Sequence, residues 1–202
     1  MKKELGRRLG MVLAVLLLVS LLPGGLSLAQ EGEIYENFDD LAAGQIPEGW
    51  TKSVSGEENA VGAVVEGGGM AAEIRAHTPN NGVLLESPTF DFDRFTLTYR
   101  VKFENVTAYQ GLYVADDPAL VTRALGFHVE GGYFSFRKND TTVRCMEAEA
   151  DRWYDVRLIV DNENFMVELW IDGNFITKGQ HFRNNYRASM LAFHISTNEA
   201  AG

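Results

Sequence analysis

The chain has 202 residues, 46% of them apolar, 23% charged and 11% aromatic, and a formal net charge of −10. That composition suits one globular domain with a sizeable core and excludes low-complexity disorder, collagen and a polytopic membrane protein. Without residues 1–29, which hold four basic groups and one acid, 14 basic groups face 27 acidic ones. Such a body repels phosphate backbones and anionic membranes, which argues against a nucleic-acid partner.

Lys2, Lys3, Arg7 and Arg8 make a basic start, and Met11–Leu22 is an apolar run whose only polar member is Ser20. Pro23-Gly24-Gly25 breaks any helix, and Ser27 and Ala29 are small residues placed for a cut before Gln30. This is the layout of a secretory signal peptide over residues 1–29. The run is shorter than the roughly 20 apolar residues of a membrane span. The expectation is an exported, extracellular or cell-surface protein, off the membrane after cleavage, with one domain over residues 30–202. Cys145 is the single cysteine, so no internal disulfide forms, and it reads as a packed small hydrophobe.

After residue 30 no stretch keeps a 3.6-residue period for three turns, whereas two-residue alternation recurs. Phe95, Leu97, Tyr99, Val101 and Phe103 alternate with Thr96, Thr98, Arg100, Lys102 and Glu104, as a strand with one buried face does. Similar runs lie near 33–38, 61–65, 70–75, 109–115, 124–130, 132–137, 153–160, 165–171, 174–178 and 188–197. Turn residues separate them: Gly67-Gly68-Gly69, Asn80-Asn81-Gly82, Gly131-Gly132, Asn139-Asp140 and Asp172-Gly173. Short strands at this spacing predict an all-β fold, an antiparallel two-sheet β-sandwich or a barrel. One short helix is expected from Asp117 as N-cap, through Pro118, to about Leu125.

Residues 153–178 predict their own register. A turn at Asp161–Asn164 pairs Val160 with Phe165, Leu158 with Val167, Val156 with Leu169 and Tyr154 with Ile171 on the core face. The other face then sets Arg157 against Glu168 and Asp155 against Trp170, the kind of cross-strand match that stabilises a hairpin. Asp172-Gly173 fits a type I′ turn. Beyond it Leu169 faces Ile176 inside and Trp170 faces Phe175 outside.

The run from Trp153 to Asp161, followed by Val167-Glu168-Leu169-Trp170-Ile171-Asp172-Gly173, resembles the central hairpin of laminin-G-like, concanavalin A-like jelly rolls. Glu36-Asn37-Phe38-Asp39-Asp40 with Ile46-Pro47-Glu48-Gly49-Trp50 resembles the opening strand and turn of secreted bacterial modules of that superfamily. The resemblance implies a jelly-roll sandwich. It also implies a last strand closing the sheet beside the first one, and none is found after Met190–Thr197. The expectation is therefore a C-terminally incomplete module of a longer protein. The superfamily holds lectins, carbohydrate-binding modules, glycanases, lyases and spacers, so fold does not fix function.

Glycanases of this fold carry a Glu-x-Asp-x-x-Glu strand, and retaining hydrolysis needs two carboxyls about 5 Å apart. That spacing does not occur. Glu147, Glu149 and Asp151 come nearest and read as a solvated acidic turn. His128 and His194 alternate out of phase with the apolar residues of their strands, so both point away from the core, onto one sheet face. Gly-x-Ser-x-Gly, His-Glu-x-x-His and P-loop motifs are absent. Asp39-Asp40, Asp116-Asp117 and Asp161-Asn162-Glu163 are oxygen-rich turns in which a structural Ca2+ is possible.

Trp170 and Phe175, opposed on the non-core face near Arg157 and Asp155, form a candidate sugar platform. Aromatic faces stack on pyranose C–H groups while the charged residues bond hydroxyls. The Gln180–Arg187 loop, with His181, Arg183, Asn184, Asn185 and Tyr186, is a second polar and aromatic candidate. The leading expectation is a non-catalytic carbohydrate-binding module that takes a polysaccharide or glycan through Trp170, Phe175, Arg157, Asp155, His128 and His194. Rival expectations are a polysaccharide lyase or glycoside hydrolase using the His128/His194 face, and a structural spacer docking a neighbouring domain.

Overall fold

The computed structural model describes residues 9–14, 38–54, 60–66, 69–76, 83–116, 123–138, 141–183 and 185–196. Its strands in chain order are β1 (Leu9–Ala14), β2 (Thr51–Val54), β3 (Ala60–Glu66), β4 (Gly69–Ala76), β5 (Val83–Glu86), β6 (Arg94–Phe103) and β7 (Tyr109–Ala115). There follow β8 (Arg123–Glu130), β9 (Tyr133–Lys138), β10 (Thr141–Glu147), β11 (Trp153–Asp161), β12 (Met166–Ile171), β13 (Asn174–Gly179) and β14 (Met190–Ser196). Two seven-stranded sheets result, with orders β13-β12-β11-β6-β1-β4-β3 and β10-β9-β8-β7-β14-β5-β2. They are called sheets A and B below. Every pairing is antiparallel, and the protein is an all-β two-sheet sandwich.

Alternation explains the layers. In β6 the side chains of Phe95, Leu97, Tyr99, Val101 and Phe103 are buried, while Arg94 and Arg100 are exposed. Tyr154, Val156, Leu158 and Val160 of β11 continue the inner face of sheet A; Leu112, Phe127, Phe134 and Phe193 build that of sheet B. Rings meet edge-to-face across the gap: Tyr99 with Phe193 at 5.6 Å, Phe103 with Phe134 at 5.9 Å, and Phe134 with Tyr154 at 4.9 Å. Each such side chain contributes about 1.5–3 kcal/mol through burial, and the edge-to-face contacts add to it.

The β11–β12 hairpin keeps the predicted faces but not the predicted partners. Val160 pairs with Val167, Leu158 with Leu169, Arg157 with Trp170 and Val156 with Ile171. The turn moves one residue on, to Asn162–Phe165, where Phe165 takes a φ of 52°. Both oxygens of Asp161 hold Asn164, one through its backbone N–H at 2.9 Å and one through its amide at 3.0 Å. Buried Asn162 donates to Phe92 O and Ala188 O and accepts from Ala188 N–H. A slide of two residues leaves every side chain on its own face, so alternation alone does not detect it. Asp172 and Gly173 turn with φ of 52° and 76°, and Trp170 lies opposite Phe175 as predicted. A bulge between Leu169 and Trp170 makes Thr177, not Ile176, the partner of Leu169.

The expected helix is corrected at its end, because Arg123, Ala124 and Leu125 belong to β8, where Leu125 pairs with Val114 and fills the core. Residues 117–122 lie outside the described residues, as do residues 33–37 of the expected first strand. Leu9–Ala14, inside the proposed export segment, forms a ladder with both neighbours: Met11 is opposite Ile74 of β4 and Phe103 of β6.

Candidate functional site: the outer face of sheet B

Along β7, residues 109, 111 and 113 share the face turned away from the core. Gly111 stands between Tyr109 and Tyr113, and in register it pairs with His128 of β8 on one side and His194 of β14 on the other. The glycine is required. A Cβ there would lie 2.5 Å from Phe127 O and 2.6 Å from His128 Cα. With no side chain at this position, the four rings close over the gap. Tyr113 stacks on His194 at 4.2 Å and 9°, while Tyr109 lies 4.5 Å from His128 and 5.1 Å from His194. The two tyrosine hydroxyls are hydrogen-bonded to each other.

Two guanidinium groups border this cluster. Arg123 donates from Nη1 to the Tyr113 hydroxyl at 3.1 Å and covers its ring at 4.2 Å. Arg137 of β9 lies 6.0 Å from the Tyr109 ring. His128 is 1% exposed and His194 4%. Burial, and then Arg137, hold the His128 ring at about 4; burial, then His128 and Arg123, hold His194 at about 3. Both rings are uncharged at neutral pH, so the 3.5 Å approach of Glu130 Oε2 to His128 Nε2 is not an ion pair. Burial, and then Tyr113, push the Tyr109 hydroxyl far above the ordinary phenol range. Among the described residues, both ring nitrogens of His128, Nε2 of His194 and Nε of Arg137 are buried and find no hydrogen-bond partner. Unpaired buried polar atoms cost about 1–3 kcal/mol each, which makes this face chemically unfinished.

His128 and His194 do meet on one sheet face, as their phase predicts. Trp170, Phe175, Arg157 and Asp155 lie instead on the outer face of sheet A. Trp170 is half-buried and gives its indole N–H to Glu168 Oε1 at 2.8 Å. Phe175 is 54% exposed but stands at 71° to the indole, so the two rings do not make one flat surface. Glu168 bridges to Lys178 rather than Arg157, and Asp155 pairs with Arg100.

The other candidates are held by structural contacts. His181 stacks on core Phe136 at 4.4 Å, and Arg187 bridges Asp91 and Asp93, both at 2.8 Å. Glu149 pairs with Arg152, and Glu147 accepts from the Tyr133 hydroxyl. Asp39 accepts from Met70 N–H. Among the described residues no three His, Cys, Asp or Glu gather as metal ligands. Cys145 is a half-buried free thiol, raised to about 11 by burial.

No family model matches the chain, and no curated protein matches it. Solved structures similar to it include a sialidase, 12% identical with a TM-score of 0.48, over 76% of this chain and 14% of that one. Another is the carbohydrate recognition domain of Emp47p, 14% identical with a TM-score of 0.45, over 76% of this chain and 82% of that one. The chain thus spans about a seventh of the length of the sialidase it matches.

Tyr109, Tyr113, Arg123 and Arg137 are absent from the sequence-derived candidates. Their signal is Tyr-x-Gly-x-Tyr on a strand, which places two rings on one face with a bare position between them. It becomes a site only once β8 and β14 are known to flank β7.

Proposed function

We propose that this protein is an exported, non-catalytic carbohydrate-binding module of the concanavalin A-like superfamily, and that it takes its glycan on the outer face of sheet B. The supporting observation is the cross of Tyr109, Tyr113, His128 and His194 around Gly111, bordered by two guanidinium groups. On such a face the C–H side of a sugar covers the half-buried Tyr109 ring, and its hydroxyls meet the partly exposed polar border of the cluster. Export is supported by the basic, apolar and small-residue segments before Gln30.

The test is retention on polysaccharide affinity gels and glycan arrays. Tyr109→Ala is expected to lose retention; unchanged retention in that variant, or no retention of the wild type on any glycan, overturns the proposal. Phe175 offers a second contact on sheet A because it is 54% exposed. There Trp170→Ala is expected to weaken binding only partly.

One observation favours an enzyme as a second reading. Two imidazoles lie beside two phenol hydroxyls, side chains of the types that general acid–base chemistry uses. Release of reducing ends or unsaturated sugars from a polysaccharide panel would decide for it, since a binding module releases nothing.

A further inference from the structure

We propose that this face takes a neutral, extended β-1,4-linked glycan of at least three units, lying across the strands from Tyr109 to Tyr133 with Glu130 under its middle unit. This rests on the glycan reading above and adds the ligand class. In β8 the two-residue period that turns His128 outward turns Glu130 outward as well. The Glu130 carboxylate lies 3.5 Å from His128 Nε2, with 42% of its side chain exposed. Tyr133 of β9 is paired with Glu130 across the hairpin, and the register that sets Gln110 against Val129 brings Tyr109 of β7 to the other side. Tyrosine, carboxylate and tyrosine thus stand in one row, each partly exposed.

Neighbouring strands lie about 4.8 Å apart, so two strand steps separate the tyrosines by about 9.5 Å, roughly two pyranose units of a straight chain. A chain that curls, as an α-1,4 linkage makes it, leaves one of the rings uncovered. The rings offer apolar surface to sugar C–H groups, and the carboxylate between them accepts from hydroxyls of the intervening unit, a charge-assisted contact. With an acid at the centre of the row and a net charge of −10 on the chain, a uronic acid in the middle position meets repulsion. The far end of the row is held in advance. Gly131 and Gly132 turn with φ of 58° and 84°, and their N–H groups donate to Thr107 O at 3.2 Å and Val106 O at 2.9 Å. Arg144 lies over one side of the Tyr133 ring at 4.6 Å, and the Tyr133 hydroxyl donates to Glu147 Oε1 at 3.3 Å. A turn and a ring already fixed by such contacts lose little freedom on binding.

Calorimetry on the full-length protein tests this with β-1,4-linked gluco-, manno- and xylo-oligosaccharides of two and four units. An α-1,4-linked glucose tetramer and a β-1,4-linked chain of uronic acids serve as comparisons. In at least one β-1,4 series the neutral tetramer is expected to bind about tenfold or more tighter than the dimer and than both comparison chains. Tyr133→Ala should remove the gain from two units to four, and Tyr133→Phe should keep it. Glu130→Gln should weaken the tetramer about tenfold, because a neutral amide replaces the charged acceptor. A dimer that binds as tightly as the tetramer, a gain that persists in Tyr133→Ala, or equal binding of the α-linked or uronic chain overturns the extended neutral class. So does retention on affinity gels and arrays of other glycans alone, and each of these results leaves the glycan reading standing. Binding of no oligosaccharide here, with no retention on any gel or array, overturns both.

Discussion

Tyr113 lies flat on His194, their ring centroids 4.2 Å apart and their planes 9° from parallel. The contact joins β7 to β14, strands separated by some eighty residues of sequence, and seals a buried imidazole beneath a phenol. It also makes the site depend on pH.

His128 and His194 hold their protons far less tightly folded than unfolded, at about 4 and about 3 against an ordinary value of 6.5. The stability they contribute is complete above pH 6.5. It is lost as the medium is acidified through 6.5 towards 4 and then 3, because the unfolded chain takes up protons that the folded one refuses. The loss is about 1.4 kcal/mol per pH unit for each ring in that window. Urea midpoints at pH 7 and pH 4.5 should therefore differ strongly in the wild type. The difference should be smaller in His194→Phe, which keeps the stack and removes the titration.

Gly111→Ala places a methyl group against the backbone of Phe127 and His128. The expected cost is about 3 kcal/mol from overpacking, with loss of glycan binding even where the fold survives. Thermal melting and affinity-gel retention check the two effects separately.

Asn162 joins the β11–β12 turn to the segments at Phe92 and Ala188 through three buried hydrogen bonds. Replacing it with leucine strands two carbonyls and an amide, so a loss of about 3 kcal/mol or more is expected. Chemical denaturation measures it. An unchanged midpoint would mean that the turn is held by Asp161 alone.

Cleavage before Gln30 removes β1, which pairs with five residues of β4 and four of β6. If nothing else enters that place, the facing N–H and C=O groups of both strands are left bare. A chain of residues 30–202 is expected to melt about 10 °C lower than the full chain, as a loss of a few kcal/mol implies at this size. Its β4 and β6 amides should exchange with solvent faster, and hydrogen exchange resolved by residue reads this directly.

Much of the sandwich was legible because a half-buried strand has a period of two. The runs around Leu97, Phe127, Tyr154 and Leu169 announce their inner faces without any neighbour. What alternation does not carry is the sliding position of one strand along another, which is why Leu158 meets Leu169 rather than Val167. The outward phase of His128 and His194 was readable in the same way. Their company was not: the distance from Tyr109 to His194 in the chain is closed by the order of strands in sheet B, and no local pattern encodes that order. Leu9–Ala14 reads as an address by composition, and its place between β4 and β6 becomes visible only when both partners are drawn.

That placement has a bearing on timing. The six residues that bridge the two halves of sheet A fall within the stretch an export machine would need to grip. A polypeptide that finished folding where it was made would have its own label sewn into the lining, out of reach. On the export reading proposed above, recognition comes while the thread is still loose, and cleavage then decides whether the seam stays in the finished shape.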